Sequence, residues 1–288
     1  MPHDPSADRA RDVALPARSA PGRASVPFVL FLLGFLVLYL LAVCTPIGQR
    51  IENAVLSSEN GSKPAWIHEF SGAYSATGPT LPPLGELALP TAAVGLLVLV
   101  LLTLVRRCWW QGAAAVCVAG AAIGAAEVLG QVLPRPDLVN APVYFVEPSF
   151  PSGHAAVASA LVVAALFAVP ERLRPWLLVV GAAWLAMVAG AMQATLHHRP
   201  SDVVGSTLLV CIAYRLALWL RPTVAPTFAA RPATVAAASA CAVVGAVIGG
   251  SRSDSLGQSA VFAAVAVGCA ALAWLAVKDQ VVTRAQSD

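Results

Sequence analysis

The segment His197-His198-Arg199-Pro200-Ser201-Asp202 runs directly into an apolar stretch, 202–220. Two other polar segments are placed in the same way: Leu133-Pro134-Arg135-Pro136 follows the stretch 110–133, and Pro151-Ser152-Gly153-His154 opens the stretch 153–170. A helix that crosses a bilayer needs about 20 mostly apolar residues. Five more stretches of that kind lie at 27–47, 88–105, 175–196, 233–250 and 259–277, so the chain is expected to be an all-α, polytopic membrane protein with eight spans. Composition agrees. Of the 288 residues 58% are hydrophobic and 11% charged, with a mean hydropathy of +0.74, whereas soluble domains are about 45–50% apolar.

The basic residues orient this scheme, because loops left in the cytoplasm attract Lys and Arg during insertion. Arg9, Arg11, Arg18 and Arg23 precede the first span, while Arg106, Arg107, Arg172 and Arg174 join spans on the same side. Arg215, Arg221, Arg231, Lys278 and Arg284 fall there too; the opposite side has Arg50, Lys63, Arg135, Arg199 and Arg252. Both termini are therefore expected in the cytoplasm of a cell (inner or plasma) membrane, with the three polar segments facing outward. The net charge of +3 follows from this asymmetry. The bilayer is the expected partner and nucleic acid is not.

Residues 1–26 are rich in Arg, Pro, Ala and Ser without apolar periodicity and are expected to be a disordered cytoplasmic tail. The first span is expected to remain as an uncleaved anchor. In the outer loop 48–87, Trp66, Ile67, Phe70 and Tyr74 suit one face of a short interfacial helix. Asn60-Gly61-Ser62 matches a glycosylation sequon, a pattern common by chance. Cys44, Cys108, Cys117, Cys211, Cys241 and Cys269 show no CxxC or Cys/His spacing and are expected to be small buried hydrophobes, so neither a metal nor another cofactor is expected. The Pro-interrupted segment 222–232 reads as a hinge to the last two spans.

The chemistry gathers at the three polar segments. Asp202 lies four residues after His198. On one helix face its carboxylate can accept the Nδ1 proton of His198, leaving Nε2 as a nucleophile or general base. A plainer role also fits these residues, with Ser201 or Asp202 capping the helix and Pro200 setting the turn. Ser152 is placed to cap the span it precedes, and Gly153 permits close approach to the exposed amides of that helix start, a natural anion site. Pro, Ser and Gly before a helix are also ordinary punctuation, which leaves His154 in the first turn unexplained. Arg135 presents forked donors matched to phosphate oxygens, or else is a solvated loop cation. Span centres lack an unambiguous ionisable pair, which argues against a transporter.

Taken together, Arg135-Pro136, Pro151-Ser152-Gly153-His154, and His198 with Asp202 resemble the motifs of the type 2 phosphatidic acid phosphatase (PAP2) superfamily of integral membrane lipid phosphatases. The resemblance covers roughly residues 90–220. It implies a PAP2-like six-helix core over 27–221, with motif residues within 127–202, two additional spans in 222–277 and a cytoplasmic tail at 278–288. It further implies that His198 is a nucleophile forming a phosphohistidine, that Asp202 orients it, and that His154 protonates the leaving lipid alcohol. Arg135, the Ser152 hydroxyl and the Gly153 amide would hold the phosphoryl oxygens, with no metal needed. The implied reaction is hydrolysis of a lipid-linked phosphate or diphosphate at the outer face. A lipid head-group phosphotransferase and a catalytically degenerate lipid-binding member are the alternatives.

Two positions depart from the family pattern. Val128, beside Glu127, stands where a Lys is expected seven residues before Arg135, and Ala191-Met192 stand where Ser-Arg is expected. A charge-assisted hydrogen bond is worth about 1.5–3 kcal/mol, and a donor to transition-state charge about 2.7–4 kcal/mol. Full activity therefore requires a replacement. Arg199 is the candidate, provided that Arg199-Pro200 forms a non-helical turn that aims the guanidinium at the site. Glu127 and Gln131 suit either recognition of head-group hydroxyls or packing within the bundle.

Overall fold

The computed structural model describes residues 21–57, 83, 88–141, 149–252 and 255–282. Proline occupies the first or second position of helices at Pro46, Pro90, Pro175, Pro200 and Pro232. Its missing N–H is no loss there, and its fixed φ suits a first helical turn. The helices are α1 (Pro21–Leu38), continued by a π-helical turn (Tyr39–Val43), α2 (Pro46–Leu56), α3 (Leu89–Arg106), α4 (Trp109–Val132) and α5 (Gly153–Ala168). They are followed by α6 (Arg174–Ala194), α7 (Pro200–Leu220), α8 (Pro232–Gly250) and α9 (Leu256–Val277).

Among the described residues, seven helices are long and apolar enough to cross a membrane. The chain is a multi-pass, all-α membrane protein. Leu30, Leu33, Leu40, Leu97 and Leu104 lie exposed on the helix surfaces, where lipid rather than water is the apolar partner. The fourth expected span needs correction: α5 has only 16 residues, about 24 Å at ~1.5 Å per residue, against a hydrocarbon core of about 30 Å. It tolerates this length because it does not face lipid. Every residue of α5 except Gly153 and Ala165 is buried, and α3, α4, α6 and α7 surround it.

Other expectations shift as well. Helix α1 begins at Pro21, inside the stretch expected as tail, and residues 1–20 lie outside the described residues. The first span ends at Val43, and α2 follows at once, started by Thr45, whose Oγ1 accepts the Gly48 N–H at 3.0 Å. This helix was not expected; it turns Gln49, Glu52 and Leu56 inward. The stripe Trp66–Tyr74, the sequon at Asn60 and the tail beyond Val282 lie outside the described residues. In the expected hinge, Phe228–Ala229 (β1) pairs in parallel with Val281–Val282 (β2), tying it to the end of α9. Of the cysteines only Cys211 and Cys269 are buried; Cys117 is exposed on α4, where the neighbouring apolar face meets lipid.

The arginine-rich end of the bundle is knitted to backbone oxygens. Arg174 donates to Val169 O at 3.1 Å and to Thr227 O at 2.5 Å, and Arg215 donates to Leu275 O at 3.0 Å and to the Asp279 carboxylate at 2.9 Å. Arg221 lies 3.4 Å from the Trp110 ring centroid, an arrangement that stacks cation on π-face.

Helices α6 and α8 approach each other closely, and small residues allow it. A Cβ on Gly249 would stand 2.1 Å from Met187 O, and one on Gly190 2.5 Å from Gly250 N. Backbones in membrane bundles approach this closely only across such residues. Gly249→Val is expected to force the helices apart and to destabilise the protein by about 1–3 kcal/mol or more, read as a lowered thermal midpoint in detergent. An unchanged midpoint would contradict the contact.

Candidate active site

Helices α6 and α7 are joined by a five-residue turn, Thr195–Arg199, that folds back on α6. Leu196 adopts φ 60°, and the His198 N–H donates to Met192 O at 3.2 Å. Pro200 then starts α7 with Asp202 in its first turn, where Asp202 Oδ2 accepts the Arg199 N–H at 2.9 Å. This is the carboxylate half of a capping box. His198 therefore precedes the helix, and it meets Asp202 through the cap rather than along a shared helix face. Its Nδ1 stands 3.6 Å from Asp202 Oδ2, an ion-pair distance longer than a hydrogen bond.

The same Oδ2 receives Ser149 Oγ at 2.6 Å, and Ser149 Oγ in turn accepts Arg199 NH1 at 3.0 Å. Asp202 is fully buried. Its carbonyl accepts the Ser152 N–H at 3.1 Å, and Ser206 Oγ lies 2.6 Å from Ser152 O and 2.8 Å from Asp202 O, sharing one proton between them. These bonds set the start of α5 against the start of α7. Ser152 caps α5 as expected, accepting the Ala155 N–H at 3.3 Å. Among the described residues, no atom lies within 4 Å of the place where a Cβ on Gly153 would project. His154, buried in the first turn of α5, faces His198 with ring centroids 6.0 Å apart and planes at 55°.

Arg135 reaches this place from the loop after α4. Three side-chain bonds fix that loop: Tyr39 Oη donates to Pro134 O at 2.7 Å, Gln49 Nε2 to Pro136 O at 2.6 Å, and the Leu138 N–H to Gln49 Oε1 at 3.1 Å. Arg135 NH2 pairs with Glu52 Oε2 at 3.3 Å, both side chains being buried, and Glu52 Oε1 accepts the Ser201 N–H at 3.0 Å. Arg135 is thus no solvated loop cation. Its NH1 is buried without a hydrogen-bond partner among the described residues, a donor in need of an acceptor.

Burial pushes the Glu52 carboxyl above its ordinary value, and the negative charge of Asp202 adds to this, against the Ser201 hydrogen bonds and the Arg135 charge. Burial holds the Arg199 guanidinium below its ordinary value, with the nearby positive charge of Arg135 acting in the same direction. Two cations and two anions therefore share one small buried region.

Arg199 meets the backbone half of the condition set for it: it is extended (φ −81°, ψ 161°), and its side chain is buried, 4% exposed, with NH1 donating to Ser149 Oγ. The two departing positions offer no cation, with Met192 and Ala191 packed inside α6 and Val128 57% exposed on α4. Glu127 and Gln131 are exposed and bond each other at 3.2 Å, so they are not packed within the bundle. His197 is exposed beside the site. Gln49, Glu52 and Ser149 were missed from sequence. The Gln-x-x-Glu spacing at 49 and 52 marks one helical face, but it was hidden by reading the first span through to 47. Among the described residues no group of three or more His, Cys, Asp or Glu is placed to hold a metal ion.

A family model described as PAP2 superfamily matches residues 35–226. The chain belongs to the PAP2 superfamily. No curated protein and no solved structure matches it. Membership supports a phosphatase-type activity on a phosphate-bearing substrate. The PAP2 match takes in the end of α1, the π-helical turn and α2 through α7, and stops short of α8 and α9.

The raised Glu52 carboxyl carries a sign. The folded protein holds its proton more tightly than the unfolded chain, so its stabilising contribution is complete below the ordinary value of 4.5 and is lost as pH rises through the folded value. Thermal unfolding of wild type and Glu52→Gln, compared from weakly acidic to neutral pH, should show the wild type losing stability relative to the variant as pH rises. A difference that does not vary with pH would contradict the perturbation.

Proposed function

We propose that the protein is a membrane phosphatase that removes phosphate from a lipid-linked monoester or diphosphate through a phosphohistidine. The observation that carries this reading is the facing pair His154 and His198, 6.0 Å apart between ring centroids, with Arg135 and Arg199 buried beside them. Nε2 of His198 attacks phosphorus as the bond to the lipid oxygen breaks, and His154 gives that oxygen its proton. The imidazolium formed at His198 is stabilised by the Asp202 carboxylate behind it. Water then attacks the phosphohistidine, surrendering a proton to His154, and phosphate leaves with His198 restored. The α5 N-terminal amides at Gly153, with Arg135 NH1 and Arg199, hold the phosphoryl oxygens as charge develops.

The lipid tail lies among the exposed apolar faces of the helices. Arginine-rich loops at the far end from the histidines favour a cytoplasmic location for that end and for both termini. The site then opens on the outer face of a cell membrane.

One observation favours a second reading, transfer of a phospho-head-group to another alcohol. Glu52 neutralises Arg135, so the described cations and carboxylates of the site balance, which suits the single charge of a phosphodiester better than a terminal phosphate. Mass spectrometry of the products separates the two, because free phosphate without a transferred head group excludes transfer.

His198→Ala is expected to abolish phosphate release from lipid phosphates by the purified protein, and retained release would remove His198 as the nucleophile. His154→Ala is expected to slow the first step, read as the single-turnover burst of leaving-group release, by about 10²–10⁴-fold with an ordinary lipid alcohol, and by much less with a nitrophenyl ester, whose oxygen needs no proton. Equal losses on both substrates would contradict the acid role.

A further inference from the structure

The last turn of α6 presents an accounting problem that the family region does not solve by itself. A helix leaves its final four carbonyls without intrahelical partners. Here the Ala191 carbonyl receives the Thr195 N–H at 3.0 Å, Met192 O receives the His198 N–H at 3.2 Å, and Gln193 O receives the Leu196 N–H at 2.9 Å. The fourth, Ala194 O, is taken by Arg252 NH1 at 2.7 Å. Arg252 lies between α8 and α9, beyond the PAP2 match at 35–226. It is buried, and a cation at a helix C-terminus also complements the helix dipole.

The backbone of Arg252 is itself fixed. Its N–H donates to Ser259 Oγ at 2.8 Å, and Ser259 Oγ donates to Ser255 O at 2.8 Å. The close approach of Gly249 and Gly250 to α6 brings this turn to Ala194. Helix α9 adds a second contact: Phe262, fully buried, packs with Ala194, Leu196 and Leu56, while Gln258 Nε2 donates to Val55 O at 2.8 Å. The added helix pair therefore braces both the turn that carries His198 and the helix that carries Glu52.

We propose that Arg252 is a positioning residue for the His198 turn, so that the α8–α9 pair is part of the catalytic apparatus rather than an appendage. The inference rests on the reading of His198 as nucleophile, but its structural half can be tested without turnover. Arg252 acts through the carbonyl that ends α6. Without it the turn Thr195–Arg199 keeps its local bonds and loses its outer anchor.

Hydrogen–deuterium exchange on the full-length protein in nanodiscs provides the test. Arg252→Ala should speed exchange of the amides at 195–199 by at least about tenfold, with the amides of α3 and of the arginine-rich end unchanged. Arg252→Lys, which retains a charged donor, should restore part of the protection. Unchanged exchange at 195–199, or a uniform increase over the whole chain, would overturn the proposal. If Arg252→Ala does not fold, Arg252→Gln carries the same comparison. In the activity assay kcat should fall with KM unaltered, because the lipid-facing surfaces are untouched; a rise in KM alone would also overturn it. A wild-type protein that releases no phosphate would sink the phosphatase reading, while the exchange pattern would still decide the role of Arg252.

Discussion

Asp202 is the constraint on which the rest depends. One buried carboxylate oxygen takes Ser149 Oγ at 2.6 Å and the Arg199 N–H at 2.9 Å, and stands 3.6 Å from His198 Nδ1. A carboxylate buried without such donors is costly, since a charge leaving water must recover its solvation from the protein. The donors come from the loop before α5 and from the turn before α7, so satisfying the charge also assembles the site. The Asp202 carbonyl repeats the arrangement with Ser152 and Ser206. One carboxylate oxygen therefore both caps α7 and stands behind His198.

The cationic side of the site is built from more distant pieces. Glu52 and Arg135 are 83 residues apart and belong to different segments, and Ser201 joins them through its backbone N–H. Arg199 comes from the turn that carries His198. At the positions where the sequence resemblance leads one to expect cations, α4 and α6 carry Val128 and Met192, and the described cations Arg135 and Arg199 lie outside the helices instead. Glu52 tempers that charge. Under the proposed reading, a substrate phosphoryl group competes for Arg135 with a carboxylate already in place.

Much of this was legible in the sequence where the determinants are local. Apolar stretches of spanning length located the helices to within a few residues, and Ser152 as a cap, His154 in the first turn and the nearness of His198 to Asp202 all follow from spacing. What escaped is non-local. The short α5 passes for a span because hydropathy cannot distinguish burial in protein from burial in lipid, and only the surrounding helices show that it needs no lipid match. Helix α2 escaped because its apolar residues merge with the preceding span, so the inward polar face of Gln49 and Glu52 was read as loop. Arg252 was counted as an outer-loop charge, when its contact with Ala194 O is a product of glycine-mediated packing between α6 and α8.

The account turns on His198 carrying the phosphoryl group. Mixing the purified protein with a lipid phosphate radiolabelled on phosphorus, quenching in alkali within the turnover time and mapping the label measures that directly. The account predicts label on His198, stable to base and lost in acid as a P–N bond requires. Turnover with no protein-bound label, or with label on another residue, would contradict it.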